Sequence, residues 1–239
     1  MSAKSVWSGK VSANNPAGIK TGIILKKDSL YSFLAKGWTK YSSQPHAWTA
    51  PQGVLPEGPG EKYKDGVTLQ ARVGDDAKAY EIGNGKYAWP APADGELTFF
   101  IFDSNYDDNS GEFEIEVYET PDAELKRVWS GEVPANKAEG ASTGLQVKTG
   151  DVVTIKASGW IKYGKEEFAL ATPFGRVRTG LETRDEVVLK ARIGDKSYDI
   201  GAGVVAWRIP ADGELSLYVH DSVKGYGDNS GSFKAEVYK

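Results

Sequence analysis

The segment VWSGKVSAN at Val6–Asn14 decides the fold, because it returns as VWSGEVPAN at Val128–Asn136. Self-similarity over a whole chain is the signature of a repeated structural unit. In a chain of 239 residues, the spacing gives each copy the size of a small domain, well above that of a solenoid repeat. The sequence therefore predicts two homologous domains in tandem.

Further matches follow in the same order along both copies. The pairs are Gly37–Tyr41 with Gly159–Tyr163, Leu69–Asp75 with Leu189–Asp195, Ala93–Leu97 with Ala211–Leu215, and Asp108–Gly111 with Asp228–Gly231. Between the copies lies a polar stretch that contains Pro121, as expected of a short linker. We predict a first domain at residues 1–118, a linker at 119–127 and a second domain at 128–239.

Strand signals fill both copies, and no window has a helical period long enough to compete. The segment Ser232–Tyr238 alternates apolar and polar residues, and Glu112–Tyr118 repeats the pattern. One face of the first segment carries Phe233, Ala235 and Val237. Aromatic residues make up 11% of the chain and glycines number 28, which suits strands joined by tight turns. The predicted fold class is all-β, with two tandem jelly-roll or β-sandwich domains.

The composition excludes several classes of function. A net charge of −4, with acidic and basic residues interspersed, leaves no basic block for phosphates, so nucleic acid is not an expected partner. The absence of cysteine excludes disulfides, thiolate metal sites and cysteine nucleophiles. No Ser-His-Asp, Cys-His or phosphate-loop pattern occurs, and the paired carboxylates cluster in one loop, unlike the opposed pair of a glycosidase. We therefore expect a protein that is not an enzyme.

The segment MSAKSVWSGK at residues 1–10 lacks the apolar stretch of a secretory signal, and no run is long enough for a transmembrane helix. We expect a protein made in the cytoplasm without a signal peptide and without membrane insertion. It would then act outside the cell, or at a cell surface, after release by another route.

Each copy ends in an acidic loop between two apolar strands, at Asp103–Gly111 and at Asp221–Gly231. Calcium takes about six to eight oxygen ligands from carboxylates, amide and backbone carbonyls and water, and these loops are rich in such groups. The crowding of Asp103, Asp107 and Asp108 favours a bound cation, since like charges at close range are costly. A plain turn is the alternative, because Asp, Asn, Ser and Gly are also the residues of ordinary turns.

The combination of motifs resembles the calcium-dependent, galactose-binding lectins of the PA-IL type. The shared motifs are Trp-x-Gly-x-Val-x-Ala-Asn, Gly-Trp-x-x-Tyr, an Ile-Gly before a Trp-containing strand, and a closing Tyr-Gly-Asx-Asn-Ser-Gly-x-Phe. In this chain they correspond to Trp7–Asn14 and Trp129–Asn136, Gly37–Tyr41 and Gly159–Tyr163, Ile82-Gly83 with Trp89 and Ile200-Gly201 with Trp207, and Tyr106–Phe113 and Tyr226–Phe233. The resemblance spans both copies nearly end to end, and it implies a small jelly-roll sandwich with one calcium ion per domain.

The resemblance also implies a set of ligands for each ion. They are a backbone carbonyl from the Tyr of Gly-Trp-x-x-Tyr, the leading Asp of the loop, a mid-loop backbone carbonyl and two Asx side chains, with sugar hydroxyls completing the shell. Carried over, the metal ligands are Tyr41, Asp103, Asn105, Asp108 and Asn109 in repeat 1, and Tyr163, Asp221, Gly225, Asp228 and Asn229 in repeat 2. The saccharide would be bound by Asp103, Ser104, Asp108 and Asn109, and by Asp221, Ser222, Asp228 and Asn229.

Two departures from the family pattern lie within the loops. Asp108 and Asp228 stand where the family has Asn, which adds a negative charge and favours the cation. The loop of repeat 1 is two residues shorter than that of repeat 2, so the alignment fixes Asp103 less firmly than Asp221.

A third departure lies in the loop after Gly-Trp-x-x-Tyr, from which the family contacts galactose with a His and a Gln. Repeat 2 has neither residue there, whereas repeat 1 has His46, Trp48 and Gln52. Trp48 suits either sugar stacking or packing. Arg176 and Arg178 suit either an acidic sugar or a solvated surface.

Together these features predict a calcium-dependent lectin, monomeric or a small homo-oligomer, in which hydroxyls of galactose or related glycans coordinate loop-bound Ca²⁺. Two tethered sites would gain avidity through effective concentration. The alternatives are a structural or adhesion module, in which calcium only fixes the loop, and a module that targets a toxin or hydrolase system.

Overall fold

The computed structural model describes residues 4–56, 58–59, 67–120, 125–176, 186–221 and 225–239. The chain divides into two compact units, one of residues 4–55 and 67–120 and the other within residues 125–239. Over the described ranges, the single helical element is a 3₁₀ turn at Tyr226–Asp228, and no helix has the length and apolarity to cross a membrane.

The first unit contains the strands β1 (Lys4–Ser12), β2 (Ile19–Leu25), β3 (Leu30–Lys36), β4 (Thr39–Lys40), β5 (Trp48–Ala50), β6 (Gly53–Val54), β7 (Leu69–Val73), β8 (Tyr80–Glu81), β9 (Gly85–Pro90), β10 (Gly95–Ile101) and β11 (Ser110–Glu119). The second unit contains β12 (Arg127–Pro134), β13 (Ala141–Val147), β14 (Val152–Ser158), β15 (Ile161–Lys162), β16 (Leu170–Thr172), β17 (Gly175–Arg176), β18 (Val188–Ile193), β19 (Lys196–Asp199), β20 (Gly203–Arg208), β21 (Gly213–His220) and β22 (Ser230–Tyr238).

The strands of the first unit form two antiparallel sheets. The smaller sheet has the order β2-β10-β7-β8. In the larger sheet β11 is central: β1 pairs along one of its edges, and β3 and β4 pair along the other, followed by β9 and by β5-β6 respectively. The second unit repeats both sheets, with β22 in place of β11 and the smaller sheet ordered β13-β21-β18-β19. The predicted all-β class with two tandem β-sandwich domains is confirmed.

The predicted linker at 119–127 overlaps both flanking strands by one residue, since β11 ends at Glu119 and β12 begins at Arg127. Residues 121–124 of this stretch lie outside the described residues. The domain bounds at 118 and 128 stay a prediction.

The core of each unit lies between its two sheets. In β22 the side chains of Phe233, Ala235 and Val237 are buried, as the alternation predicts, because successive residues of a strand face opposite sides. β11 shows the same alternation, with buried apolar residues between exposed glutamates. Across the first core, the rings of Phe33 in β3 and Phe99 in β10 meet edge to face with centroids 5.7 Å apart.

Each acidic loop connects the two sheets at one end of its sandwich, because β10 and β21 belong to the smaller sheets and β11 and β22 to the larger ones. β4 pairs with the first two residues of β11, and continuing this register by one residue brings Tyr41 opposite Asn109. β15 and β22 repeat the pairing, which brings Tyr163 opposite Asn229. The sheet therefore places the Gly-Trp-x-x-Tyr motif beside the acidic loop.

The turn between β12 and β13 requires glycine at one position. Gly140 has a φ of 72°, and a Cβ there would lie 2.1 Å from the carbonyl oxygen of Leu217. Gly144 has a similar φ of 66°, but a Cβ there would meet no described atom within 4 Å. Both positions favour glycine for conformational reasons, and at Gly140 the close backbone approach adds a steric one.

The outer face of β22 carries a charged network centred on Glu236. Its carboxylate accepts a hydrogen bond of 2.6 Å from the Tyr238 hydroxyl, and it pairs with Lys156 and Arg127, each at 3.0 Å. Burial acts to raise the pKa of Glu236, but these partners outweigh it and lower the pKa from 4.5 to about 2. The equivalent glutamate of β11, Glu116, pairs with Leu34 of β3, whereas Glu236 pairs with Lys156 of β14.

Candidate functional site

The buried asparagine that closes each loop is the centre of the candidate site. Asn229 is 6% exposed, and its Nδ2 donates to Oδ2 of Asp221 at 2.8 Å and to the Ala135 carbonyl at 3.0 Å. Asn109 makes the same two bonds in repeat 1, to Asp103 at 2.8 Å and to the Ala13 carbonyl at 3.1 Å. Both partners of each Nδ2 are pure acceptors, so the direction of the amide is determined by its surroundings.

Among the described residues, the opposite atom of each amide lacks a partner. Oδ1 of Asn109 and Oδ1 of Asn229 are buried, and no described residue donates a hydrogen bond to either. A buried acceptor left unpaired costs about 1–3 kcal/mol, and native proteins rarely leave one without a donor, an ion or a water. The same orphaned oxygen occurs at the same place in both repeats, which points to a ligand that the described residues do not supply.

A tyrosine hydroxyl anchors the start of each loop. The Tyr226 hydroxyl donates to the Val219 carbonyl at 2.9 Å and accepts from the Asp221 backbone N–H at 3.3 Å. Burial raises the pKa of Tyr226, which keeps the hydroxyl protonated and able to donate. Tyr106 makes the equivalent bonds in repeat 1, at 2.9 Å to the Ile101 carbonyl and 3.3 Å from the backbone N–H of the loop's leading aspartate.

These anchors locate the two-residue deletion. Two residues separate Asp103 from Tyr106, whereas four separate Asp221 from Tyr226. The deletion therefore lies between the leading Asp and the Tyr, and the hydrogen bonds on either side of it are the same in both copies. Asp103 is the structural equivalent of Asp221, which the alignment alone could not fix.

The shorter loop of repeat 1 is closed by hydrogen bonds of its own. Oδ1 of Asp103 accepts from the backbone N–H groups of Ser104 at 2.6 Å and Asn105 at 3.4 Å. The amide of Asn105 donates to Oδ1 of Asp108 at 2.9 Å and accepts from the Asp107 backbone N–H at 3.3 Å. Asn105 thus bridges the two halves of the loop.

The expected crowding of Asp103, Asp107 and Asp108 is wrong. Within the described ranges, no group of three or more His, Asp and Glu side chains lies close enough to hold a metal. Asp107 and Asp108 are exposed, and Asp108 is joined to the first half of the loop through the Asn105 amide. The candidate donor set of each site is therefore mixed: carboxylate, amide oxygen and backbone carbonyl.

Gly225 allows the Asp221 carboxylate to occupy its place in repeat 2. Its φ of −82° and ψ of −25° are open to any residue, so conformational freedom is not the reason for glycine. A Cβ at Gly225 would lie 2.5 Å from Oδ2 of Asp221 and 2.7 Å from Oδ1. The Gly225 carbonyl also accepts a bond of 3.4 Å from the Asp228 backbone N–H at the 3₁₀ turn.

The structure brings most of the predicted ligands to one end of each sandwich. The Asp and the closing Asn are directly bonded, Tyr41 and Tyr163 lie opposite the closing Asn by register, and Asn105 and Gly225 precede the anchoring Tyr. Ser104 is exposed, and Ser222 lies outside the described residues. Hard oxygens around an orphaned amide oxygen fit a calcium ion, because Ca²⁺ accepts carboxylate, amide and backbone oxygens together.

The tyrosine anchors and the alanine carbonyls are site residues that the sequence reasoning missed. Ala13 and Ala135 each hold the closing Asn from the end of the opening VWSG motif, and Tyr106 and Tyr226 each hold the leading Asp. All four belong to motifs that the two copies share, which is the signal that would have found them.

Gln52 is not available to contact a ligand. It is 1% exposed, and its Oε1 accepts a bond of 2.9 Å from Asn84 in the interior. His46, in contrast, is exposed, and its ring meets that of the half-buried Trp48 edge to face at 5.3 Å. Of the residues in this loop of repeat 1, His46 and Trp48 are thus accessible to a ligand.

Comparison with known proteins agrees with this architecture. The model of the family described as PA-IL-like protein matches residues 6–121 and again residues 128–239. Lectin A of Photorhabdus laumondii is 44% identical over 109 residues, which covers 46% of this chain and 89% of the relative. A solved structure described as the EclA N-terminal domain, a PllA-like lectin, is 43% identical and covers 48% of this chain and 98% of its own, with a TM-score of 0.45. The chain belongs to the PA-IL-like family, of whose domain it carries two copies in tandem.

Proposed function

We propose that this protein is a calcium-dependent lectin without enzymatic activity, with one saccharide site at the acidic loop of each repeat. The observation that carries the proposal is the orphaned Oδ1 of Asn109 and of Asn229, each held in a fixed direction by two acceptors. The lectin names of the relatives, Lectin A and PllA-like lectin, support the carbohydrate-binding part of the proposal.

The residues of each loop have distinct tasks in this proposal. Asp221 and Asn229 would hold the ion through side-chain oxygens, and the hydrogen bond between them sets their relative position before any ion arrives. Tyr226 fixes the backbone of Asp221, so the carboxylate cannot drift with the rest of the loop. Preorganised ligands raise affinity because less conformational entropy is lost on binding.

The remaining ligands would come from the backbone and from the end of the loop. They are the carbonyls of Tyr163 and Gly225 with the Asp228 carboxylate in repeat 2, and the carbonyls of Tyr41 and Asn105 with the Asp108 carboxylate in repeat 1. When bound, calcium would supply a positive charge and open coordination positions that vicinal sugar hydroxyls can fill without changing the net charge.

The saccharide class follows from what surrounds each site. A glycan with a vicinal diol, such as galactose or a relative of it, suits a metal that keeps open positions. In repeat 1 the exposed His46 and the half-buried Trp48 offer a polar group and an aromatic face to the sugar ring. The buried Gln52 takes no part in this contact.

A glycan array probed with the full chain in excess calcium and in excess EDTA tests the proposal. Binding in calcium that disappears in EDTA is the expected result, and Asp221→Ala and Asp103→Ala should each remove one of two sites counted by calorimetry. Glycan binding that persists in EDTA would refute the calcium mechanism. A calcium-dependent rise in melting temperature without any glycan bound would support a calcium-stabilised structural module in its place.

A further inference from the structure

Arg176 lies beside the candidate site of repeat 2. Its guanidinium carbon is 5.2 Å from the centroid of the Tyr163 ring, and its Nη2 forms an ion pair with Glu186. Tyr163 lies opposite Asn229 by register, so the first contact ties Arg176 to the larger sheet at the site. Val188 pairs with the residue that precedes Asp221, and Glu186 lies two residues before Val188. The second contact therefore links Arg176 to the smaller sheet.

The two partners of this ion pair differ in solvent exposure, and the difference leaves Arg176 available to a ligand. The side chain of Arg176 is 26% exposed, whereas that of Glu186 is 55% exposed. An ion pair with so exposed a partner contributes little, so a competing anion can replace the glutamate. The Nε of Arg176 is buried and has no acceptor among the described residues, so Glu186 is the described acceptor of the guanidinium and binds it through Nη2.

Repeat 1 has an apolar residue at the same place. Val54 in β6 pairs with Thr49 in β5, and Arg176 in β17 pairs with Ala171 in β16. In each repeat the cross-strand pairing then continues through one more strand to the glycine that follows the closing Asn-Ser, Gly111 or Gly231. The two repeats therefore have the same strand pairing beside the acidic loop, but the residue at its edge is a cation in repeat 2 and an aliphatic side chain in repeat 1.

Resting on the carbohydrate-binding function proposed above, we propose that repeat 2 selects an acidic saccharide, whose carboxylate or sulfate is bound by Arg176, whereas repeat 1 selects a neutral one. Arginine suits this task because its planar fork binds a carboxylate or sulfate through two parallel hydrogen bonds. A tandem chain of this kind would bind two different sugars of a mixed glycan surface.

The other charges of the loop after Tyr163 balance one another, so an acidic sugar would be recognised through Arg176. Glu166 and Glu167 are exposed in the loop after Tyr163, and a Cβ at Gly164 would lie 2.7 Å from the Glu166 carboxylate. Lys162 and Lys165 lie in the same stretch, so these charges cancel and net charge does not select an acidic sugar in repeat 2. Recognition has to come from the directional contact with Arg176, and removing Glu166 should not change which sugar is preferred.

The experiment compares galactose with galacturonic acid, which share a ring and differ at C6, by calorimetry on the full chain in excess calcium. The Asp103→Ala background leaves the site of repeat 2, and the Asp221→Ala background leaves that of repeat 1. In the first background we expect galacturonic acid to bind at least about tenfold more tightly than galactose, as a charge-assisted bidentate contact implies. Arg176→Val should abolish that preference and leave galactose affinity within about twofold. In the second background Val54→Arg should create the preference.

Two further variants separate recognition from folding. Glu186→Gln removes the internal competitor and should strengthen galacturonic acid binding several-fold without changing galactose binding. Arg176→Lys keeps the charge but loses the fork, and should retain part of the preference. Calcium-dependent melting of each variant verifies that the domain is folded.

The outcomes discriminate between the two proposals. If galactose binds to the repeat 2 site and the acid does not bind more tightly, or if Arg176→Val weakens both sugars equally, the acidic-sugar inference is overturned and Arg176 is a structural residue. If no glycan binds either site of the folded, calcium-loaded chain, the lectin function itself fails.

Discussion

Replacing Asn229 with Asp tests the central feature of the site, because it exchanges one NH₂ group for oxygen and leaves the shape unchanged. The change removes the donors of two hydrogen bonds, at 2.8 Å to the Asp221 carboxylate and at 3.0 Å to the Ala135 carbonyl. A bond to a charged group contributes about 1.5–3 kcal/mol and a neutral one about 0.5–1.5 kcal/mol. The loss in the absence of calcium is therefore about 2–4.5 kcal/mol, before any repulsion between the two carboxylates.

The measurement is thermal unfolding of the full chain in EDTA at neutral pH. For a domain of this size, 1 kcal/mol shifts the melting temperature by about 4–8 °C, so the second domain should melt at least about 8 °C earlier. Asn136→Asp, at an exposed position of the same domain, adds the same charge and should have little effect. Excess calcium should reduce the deficit of Asn229→Asp, because the added carboxylate then faces a cation.

The pH dependence of this variant has a definite sign. Burial beside Asp221 raises the pKa of the introduced carboxyl in the folded state above its unfolded value of about 3.9. The folded state then holds the proton more tightly, so stability is retained at low pH and is lost as pH rises through the folded pKa. The deficit should be smaller at pH 4 than at pH 7. A melting temperature in EDTA equal to that of the unmodified chain would show that Nδ2 does not bridge these acceptors, and the fixed direction of Oδ1 would have no basis.

Three other substitutions test separate parts of the structure. Gly140→Ala should lower the free energy of unfolding in urea by about 2–4 kcal/mol, because of both its φ and the close carbonyl, whereas Gly144→Ala, with the φ but without the clash, should cost about 1 kcal/mol. Glu236→Gln should remove the part of the stability that the unmodified chain loses as pH falls from 4.5 to about 2, because a carboxyl with a lowered pKa stabilises the fold only while it is ionised. Denaturation at several pH values measures this loss, and the same change at Glu116, the equivalent glutamate of β11, is the control. Gly225→Ala should weaken calcium binding about 10- to 100-fold in calorimetry by displacing the Asp221 carboxylate. The melting temperature in EDTA should fall only by the part that the Asn229–Asp221 hydrogen bond contributes, because φ −82° itself suits alanine. Equal calcium affinity in that variant would show that the carboxylate is not a ligand.

The sequence predicts the fold well because its signals are local and occur twice. The alternation in Ser232–Tyr238 follows from the pleat of a strand, and its recurrence in Glu112–Tyr118 removes the ambiguity that a single run would leave. What local patterns do not contain is the pairing partner. β11 pairs with β3 over one part and with β4 over another, which brings Tyr41 to the loop. The bend between β3 and β4 lies at Gly37, with a φ of 111°, so the Gly-Trp-x-x-Tyr motif marks the bend but does not identify the strand that pairs there.

The sequence predicts the residues of the site better than their arrangement. The leading Asp and closing Asn of each loop were identified from the motif, and they are directly bonded. The inferred crowding of carboxylates was wrong, since no cluster of three acidic side chains occurs among the described residues. Spacing along a loop does not determine which groups meet: Asp103 accepts from the backbone and Asp108 from the Asn105 amide. Likewise, Gln52 is polar in sequence but lies in the interior, because Asn84 supplies a buried partner for it.

The two repeats show which parts of the site tolerate change. The two-residue deletion lies between the leading Asp and the Tyr whose hydroxyl accepts a hydrogen bond from the Asp backbone N–H. Both repeats make this hydrogen bond, so the deletion leaves it unchanged. A loop that changes length only between anchors can diverge without disturbing the ligand frame, since each doubling of loop length changes closure entropy by only about 0.6 kcal/mol. Divergence of Val54 and Arg176 at the border of the frame follows the same logic, because neither residue bonds to the Asp–Asn pair. Under the two proposals made above, the sugar bound at one site can change while the Asp–Asn pair of both sites stays the same, and a duplicated domain can acquire two specificities in this way.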